Sequence, residues 1–136
     1  MKILIDTNVL LDVFFNRELF VKDSLMIFKL CESKLVEGNL CAISIPNIVY
    51  IMRKELSKEK TNELIKKIIL LFNVVDLKSD DLLNATKIAF SDYEDALQAV
   101  TAKRIKADYI VTRNLKDYIN SEIVAITPNE MLKLCI

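Results

Sequence analysis

Short apolar runs alternate along the chain with longer stretches that repeat at helical spacing, and this alternation restricts the fold to a parallel sheet covered by helices on both faces. Five runs read as strands: Lys2 to Asp6, Leu40 to Ser44, Val74 to Leu77, Asp108 to Thr112 and Glu122 to Ile126. In the first, Lys2-Ile-Leu-Ile-Asp6, the apolar residues end at an acid, as in a strand buried on both faces that emerges at its C-terminal edge. The intervening segments carry helix signals. Thr7 and Asn8 can cap a helix to about Val13, and a second pattern runs from about Lys22 to Val36, with Gly38 closing it. Pro46 stands in the first turn of a helix carrying Ile48, Val49, Ile51 and Met52, and Ser57 caps the next. Ser79 with Asp80 and Asp81 starts a helix to about Phe90, and another spans Ser91 to about Lys106. After a short helix from Asn114 to Ile119, Thr127-Pro-Asn-Glu130 combines an N-cap, a first-turn proline and a capping-box glutamate. In a sheet wound this way, polar residues at the strand C-termini gather in one crevice, where chemistry is expected.

Composition narrows that chemistry. A single glycine excludes the glycine-rich phosphate loops, which need several positions without a Cβ. The absence of histidine removes Ser-His-Asp and Cys-His catalysis and every histidine-ligated metal site. Nineteen basic and nineteen acidic residues cancel, so no global field draws the protein to nucleic acid or membrane. Cys31, Cys41 and Cys135 are odd in number and lack C-x-x-C spacing, which argues against a disulfide framework or a zinc site and fits a reducing cytosol. The longest apolar runs, Ile48 to Met52 and Ile68 to Phe72, are too short to span a membrane, and Asp6 interrupts the N-terminal run too early for a signal peptide. With two prolines and one glycine there is little linker material, so residues 1–136 are expected to form one domain in the cytoplasm. The apolar fraction, 52%, lies slightly above the usual range and leaves helix surface for an interface.

Acids converge on the expected crevice from three places: Asp6 after the first strand, Asp92 and Asp95 at one helix start, and Asp117 after the fourth strand. Asp92 and Asp95, three residues apart, share a helix face. Clustered carboxylates either raise one another's pKa or bind a divalent cation, and oxygen ligands without His or Cys favour Mg²⁺ or Mn²⁺. The bland readings differ by position. Ser91 and Glu94 form an S-x-x-E capping box, to which Glu94 is assigned, and Asp92 serves equally well as ligand or as helix-dipole partner. Asp6 has no cap to make at its own position, which favours a functional role, and Asp95 and Asp117 are read the same way. Asn47, beside Pro46, should face the crevice as a ligand for metal or water, or is an ordinary helix-start asparagine. After the fourth strand, Thr112 and Asn114 can hold a phosphate or a metal-bound water, and Arg113 is the best single phosphate candidate. The pairs Arg53-Lys54 and Lys66-Lys67, and the group Lys103, Arg104 and Lys106, read as solvated helix faces of modest RNA affinity.

The segments Ile3-Leu-Ile-Asp-Thr-Asn-Val-Leu10, Asp92-Tyr-Glu-Asp-Ala-Leu-Gln98 and Ile110-Val-Thr-Arg-Asn-Leu-Lys-Asp-Tyr118 together resemble the PIN-domain family. The resemblance covers essentially the whole chain and is closest to the stand-alone VapC-type toxins. It implies a three-layer α/β/α sandwich around a parallel sheet of about five strands, and an endoribonuclease site dependent on Mg²⁺ or Mn²⁺. Asp6 matches the family's first acid and Asp95 the acid on the later helix; Asn114 and Asp117 compete for a further acid after the fourth strand. The family's second acid, usually a glutamate, stands here as Asn47, which removes one negative charge from the site. The resemblance further implies hydrolysis of RNA, a small antitoxin as partner and a homodimer. The alternative is a degraded PIN-like module that binds RNA or protein without cutting. A haloacid-dehalogenase-like phosphatase would need a second aspartate two residues after Asp6, and position 8 is Asn.

Overall fold

In the computed structural model, which describes residues 1–135, the strands β1 (Lys2–Ile5), β2 (Glu37–Cys41), β3 (Asn73–Val75), β4 (Tyr109–Val111) and β5 (Ala125–Ile126) form one parallel sheet in the order β3-β2-β1-β4-β5. Its register sets Ile3 between Gly38 and Tyr109, and Leu4 between Asn39 and Ile110. Successive side chains of β1 point to opposite faces, so Ile3 and Ile5 enter one core while Leu4 enters the other. The first face is covered by α1 (Thr7–Phe14), α2 (Val21–Glu32), α3 (Ser44–Met52), α4 (Lys58–Leu71) and α7 (Pro128–Leu134), which contribute Val9, Leu10, Ile27, Ile48, Ile68 and Met131. The second is covered by α5 (Ser79–Ala85) and α6 (Tyr93–Arg104), where Ala99 and Ala102 keep α6 close to Leu4 and Ile110. The result is the three-layer α/β/α sandwich that the alternation of elements demands. No helix among the described residues is long and apolar enough to cross a membrane.

Several local expectations are corrected. The helix before β2 ends at Glu32, four residues early, and Lys34 turns the chain with φ 61°. Gly38 therefore closes no helix. It lies inside β2, where a Cβ would stand 2.6 Å from Cys31 Sγ and 2.8 Å from Phe72 Cδ1, so the missing side chain lets α2 and the end of α4 close on the strand. β2 starts at Glu37 rather than Leu40 because its polar Asn39 is satisfied internally: the amide donates to the Ile3 carbonyl at 3.1 Å and to the Glu37 carboxylate at 3.0 Å. Ser44 belongs to α3, and α5 stops at Ala85 rather than near Phe90. Ser57 and the Thr127–Glu130 capping box stand as the sequence indicates.

The chain leaves β1 toward β2 and returns through α5 and α6 to β4 on its other side. That reversal opens a crevice beyond the C-terminal ends of β1 and β4, the position where ligands bind in open α/β sheets.

Candidate active site

Asp6 follows β1 directly and is 7% exposed. Its Oδ1 accepts the Thr7 N–H at 2.7 Å, so Asp6 is itself the N-cap of α1, contrary to the expectation that Thr7 or Asn8 would cap and Asp6 would not. Its Oδ2 accepts the Thr112 hydroxyl at 2.8 Å and the Asn8 amide at 3.4 Å. The Thr112 oxygen in turn accepts the Asn8 amide at 3.3 Å and the Asn114 N–H at 3.1 Å. The hydroxyl of Thr112 is thus committed to fixing Asp6 and the loop after β4.

Asp95 approaches from the first turn of α6, whose N-cap is Asp92: its Oδ1 accepts the Asp95 N–H at 3.0 Å. Ser91 is not the cap, and Glu94 does not serve in a capping box. The Glu94 carboxylate instead accepts the Asn47 amide at 2.8 Å, joining α6 to α3 across the cleft mouth. A cavity of about 420 Å³ results, lined by Asp6, Asn8, Asn47, Asp92, Glu94, Asp95, Gln98 and Asn114 among others. Asp117 is exposed in the short 3-10 helix Leu115–Tyr118, outside this lining but close enough for its charge to act on Asp6 and Asp95.

The electrostatics follow from burial and from crowding. The Asp95 carboxyl is pushed up to about 7, first by burial and then by the negative charges of Asp6, Asp92 and Asp117. Asp6 is raised mainly by burial, against the hydrogen bonds from Thr112 and Thr7, which favour its charged form. Between the two carboxylates lies Tyr118, 3% exposed, whose hydroxyl donates to Asp95 Oδ1 at 3.4 Å. Burial and both carboxylates push its phenol up, so it remains a donor.

Tyr118 and Gln98 are site residues that sequence reasoning missed. Each closes one of the segments Ile110–Tyr118 and Asp92–Gln98, and nothing in a linear pattern distinguishes them from core residues. Gln98 is 3% exposed, lines the cleft, donates from Nε2 to Ser44 Oγ at 2.8 Å, and carries a buried Oε1 without a partner. Ser44 is also bonded to Thr7 Oγ1 at 3.1 Å, which ties α3, α6 and α1 together beneath the cavity.

Arg113 takes no place in the cleft. Its Nε donates to Asp12 Oδ2 at 2.6 Å, while Arg17 Nη1 donates to Asp12 Oδ1 at 3.1 Å. Asp12 is entirely buried, so Arg113 neutralises a core carboxylate rather than offering a free guanidinium to phosphate. Other basic side chains are similarly engaged: Arg104 with Asp81, Lys103 with Glu122, and Lys54 over the Tyr50 ring.

The donor set at the cleft consists of carboxylate and amide oxygens, which suits a hard divalent cation. Among the described residues no three acids come close enough to enclose an ion by themselves. Asp6 and Asp95 could hold a cation with neutral oxygens and water completing its shell, and Gln98, whose buried Oε1 has no partner, lines the same cavity.

A family model for the PIN domain matches residues 2–116. No curated protein gives a significant match to the sequence. Among solved structures, the fold is similar to a chain of DNA-bound VapBC from Salmonella typhimurium, with a TM-score of 0.74 and 18% identity over 94% of this chain and 98% of that one. VapBC2 from Rickettsia felis bound to a promoter DNA fragment matches with a TM-score of 0.73 and 16% identity, over 93% of this chain and 98% of that one. FitAcB from Neisseria gonorrhoeae gives a TM-score of 0.71 and 19% identity, over 93% and 97%. The three-layer α/β/α fold is thus shared with these structures. The chain belongs to the PIN-domain family.

Proposed function

We propose that the protein is a metal-dependent endoribonuclease that hydrolyses phosphodiester bonds of RNA and acts in the cytoplasm as the toxin of a toxin–antitoxin pair. The observation that carries this reading is the convergence of Asp6 and Asp95 on the Tyr118 hydroxyl, where burial first and the neighbouring carboxylates second push Asp95 up to about 7. A carboxylate kept buried beside other carboxylates in a cleft supports a functional site, because perturbed carboxyls cluster where chemistry is done.

Asp6 and Asp95 would hold the cation, with Asp92, Asp117 and Asn114 around it. Bound there, Mg²⁺ or Mn²⁺ supplies a Lewis acid for the phosphate and a more acidic water. The chain's own contribution is positioning. Thr112 and the Thr7 N–H fix both oxygens of Asp6, the Asp92 cap fixes the first turn carrying Asp95, and Tyr118 orients Asp95. Asn47, held by Glu94, is the substrate-side group at the mouth, whereas Thr112 and Arg113 act through the carboxylates they bind.

The antitoxin partner rests on the likeness to VapBC and FitAB complexes. Apolar side chains such as Tyr50, 70% exposed, at the cleft and Leu83, 56% exposed, on α5 support association with a partner or a second copy. The test is cleavage of single-stranded RNA by purified protein with Mg²⁺ or Mn²⁺. Asp6→Asn and Asp95→Asn should each remove most activity while melting as folded proteins. Undiminished cleavage in excess EDTA, or by the Asp6→Asn protein, overturns the reading. RNA binding with no cleavage under any divalent ion assigns the chain to a non-cutting module, as the neutral Asn47 at the second acidic position would favour.

A further inference from the structure

A second cavity, of about 510 Å³, opens between the start of α2, the loop after β4 and the turn from β5 into α7. Asn114 borders both this cavity and the acidic cleft, so the two are contiguous around one residue. Its walls differ sharply from those of the cleft. The Phe20 ring, 37% exposed, forms one side, backed by the Arg113 guanidinium 4.2 Å from the ring centroid. Asp12 already neutralises that guanidinium, so it serves as a flat stacking surface rather than as an anion site. Asp23 and Asn129 also line the cavity, joined by a long 3.5 Å hydrogen bond that leaves acceptor and donor capacity unused.

Ser24 adds an unsatisfied polar group to these walls. Its side chain is entirely buried, it borders this cavity, and its hydroxyl has no partner. An orphaned buried hydroxyl is costly unless a ligand or water satisfies it. An apolar side chain from a peptide would leave Ser24 and Asp23 unsatisfied. A flat heteroaromatic ring with polar edges satisfies them and stacks on Phe20 as well.

We propose that this cavity binds a nucleobase of the nucleotide neighbouring the scissile phosphate, stacked on Phe20 and read at its edge by Asp23, Asn129 and Ser24. This rests on the reading of the adjoining cleft as an RNA-cleaving site. Asp23 only accepts hydrogen bonds, so it favours an edge with adjacent N–H donors, which selects guanine over adenine.

The test uses a single-stranded RNA oligonucleotide with one guanine, its adenine and inosine counterparts, and GMP alone. Affinity is read by fluorescence anisotropy on the cleavage-silent Asp95→Asn protein, and cleavage position on the parent. Phe20→Ala should weaken oligonucleotide binding about tenfold, the scale of one lost base stack. Asp23→Asn should abolish the preference for guanine, and Ser24→Ala should weaken GMP binding while melting no lower than the parent. Phe20 caps α2 without any side-chain cap bond, so its truncation spares the helix. RNA cleaved by the parent with affinity and base preference unaltered in all three variants overturns the proposal. GMP binding that is lost in the Phe20→Ala protein, when the parent cuts no RNA, keeps the base site and rejects the cleft reading instead.

Discussion

Removing the charge of Asp95 should stabilise the metal-free protein, and only where that charge exists. The carboxyl is pushed up to about 7 in the fold from an ordinary 3.8, so between those values the folded chain holds a proton that the unfolded chain has released. The stability carried by that proton is fully present below the unfolded pKa and is lost as the pH rises through about 7. At about 1.4 kcal/mol per pH unit, a rise of roughly three units sets an upper bound near 4 kcal/mol. Asp95 is only partly buried, and solvent screening brings the expected effect down to about 1–2 kcal/mol. Asparagine keeps the shape but cannot ionise. In urea melts with EDTA, the advantage of Asp95→Asn over the parent should open from near zero at about pH 4 to its full value at about pH 8. Asp6, also raised, acts with the same sign in both proteins and largely cancels. A gap that does not change with pH, or a variant less stable than the parent at alkaline pH, refutes the account of crowded carboxylates.

Asn47→Glu sets a second carboxylate against Glu94, so it should lower metal-free stability by about 0.5–1 kcal/mol while tightening Mn²⁺ binding; calorimetric titration and thermal melts in EDTA read both effects. Asp12→Ala leaves two guanidinium groups without their shared carboxylate and should cost about 3 kcal/mol in a urea melt. A loss within experimental error would mean that water replaces Asp12. Gly38→Ala drives a Cβ into Cys31 and Phe72 and should cost about 1–3 kcal/mol, with β2 amides losing hydrogen-exchange protection first.

Features whose causes lie within a few residues were legible in the sequence. Thr127–Glu130 and Ser57 cap as their local chemistry dictates, and Asp6 stands at a strand end because Ile3, Leu4 and Ile5 are apolar on both faces. Features decided by distant partners were not. Glu37-Gly-Asn39 has the composition of a turn, yet pairing with β1 makes it a strand, and Gly38 is required by α2 and Phe72 rather than by a helix end. Asp92 and Ser91 are both competent caps, and Asp92 wins while Asn47, 47 residues away from Glu94, engages the glutamate. Arg113 looks like a phosphate ligand until Asp12, 101 residues distant, is found beside it. Tyr118 and Gln98 owe their place in the site to the docking of α6 against the sheet, which no linear spacing encodes.

The cysteines give the molecule three clocks. Cys135 is exposed, whereas Cys31 is buried against Gly38 with its thiol pushed up to about 12, and Cys41, the last residue of β2, is covered by α6 with its sulfur 3.4 Å from the Thr101 hydroxyl, its thiol also raised by burial. An alkylating reagent must reach the sulfur, so the exposed Cys135 should react in the native state while the buried Cys31 and Cys41 are shielded. Cys31 must wait for α2 to lift from β2, and Cys41 for α6 to leave the sheet. Timed alkylation followed by mass spectrometry would therefore report separately the opening of the two helical layers, without any engineered label.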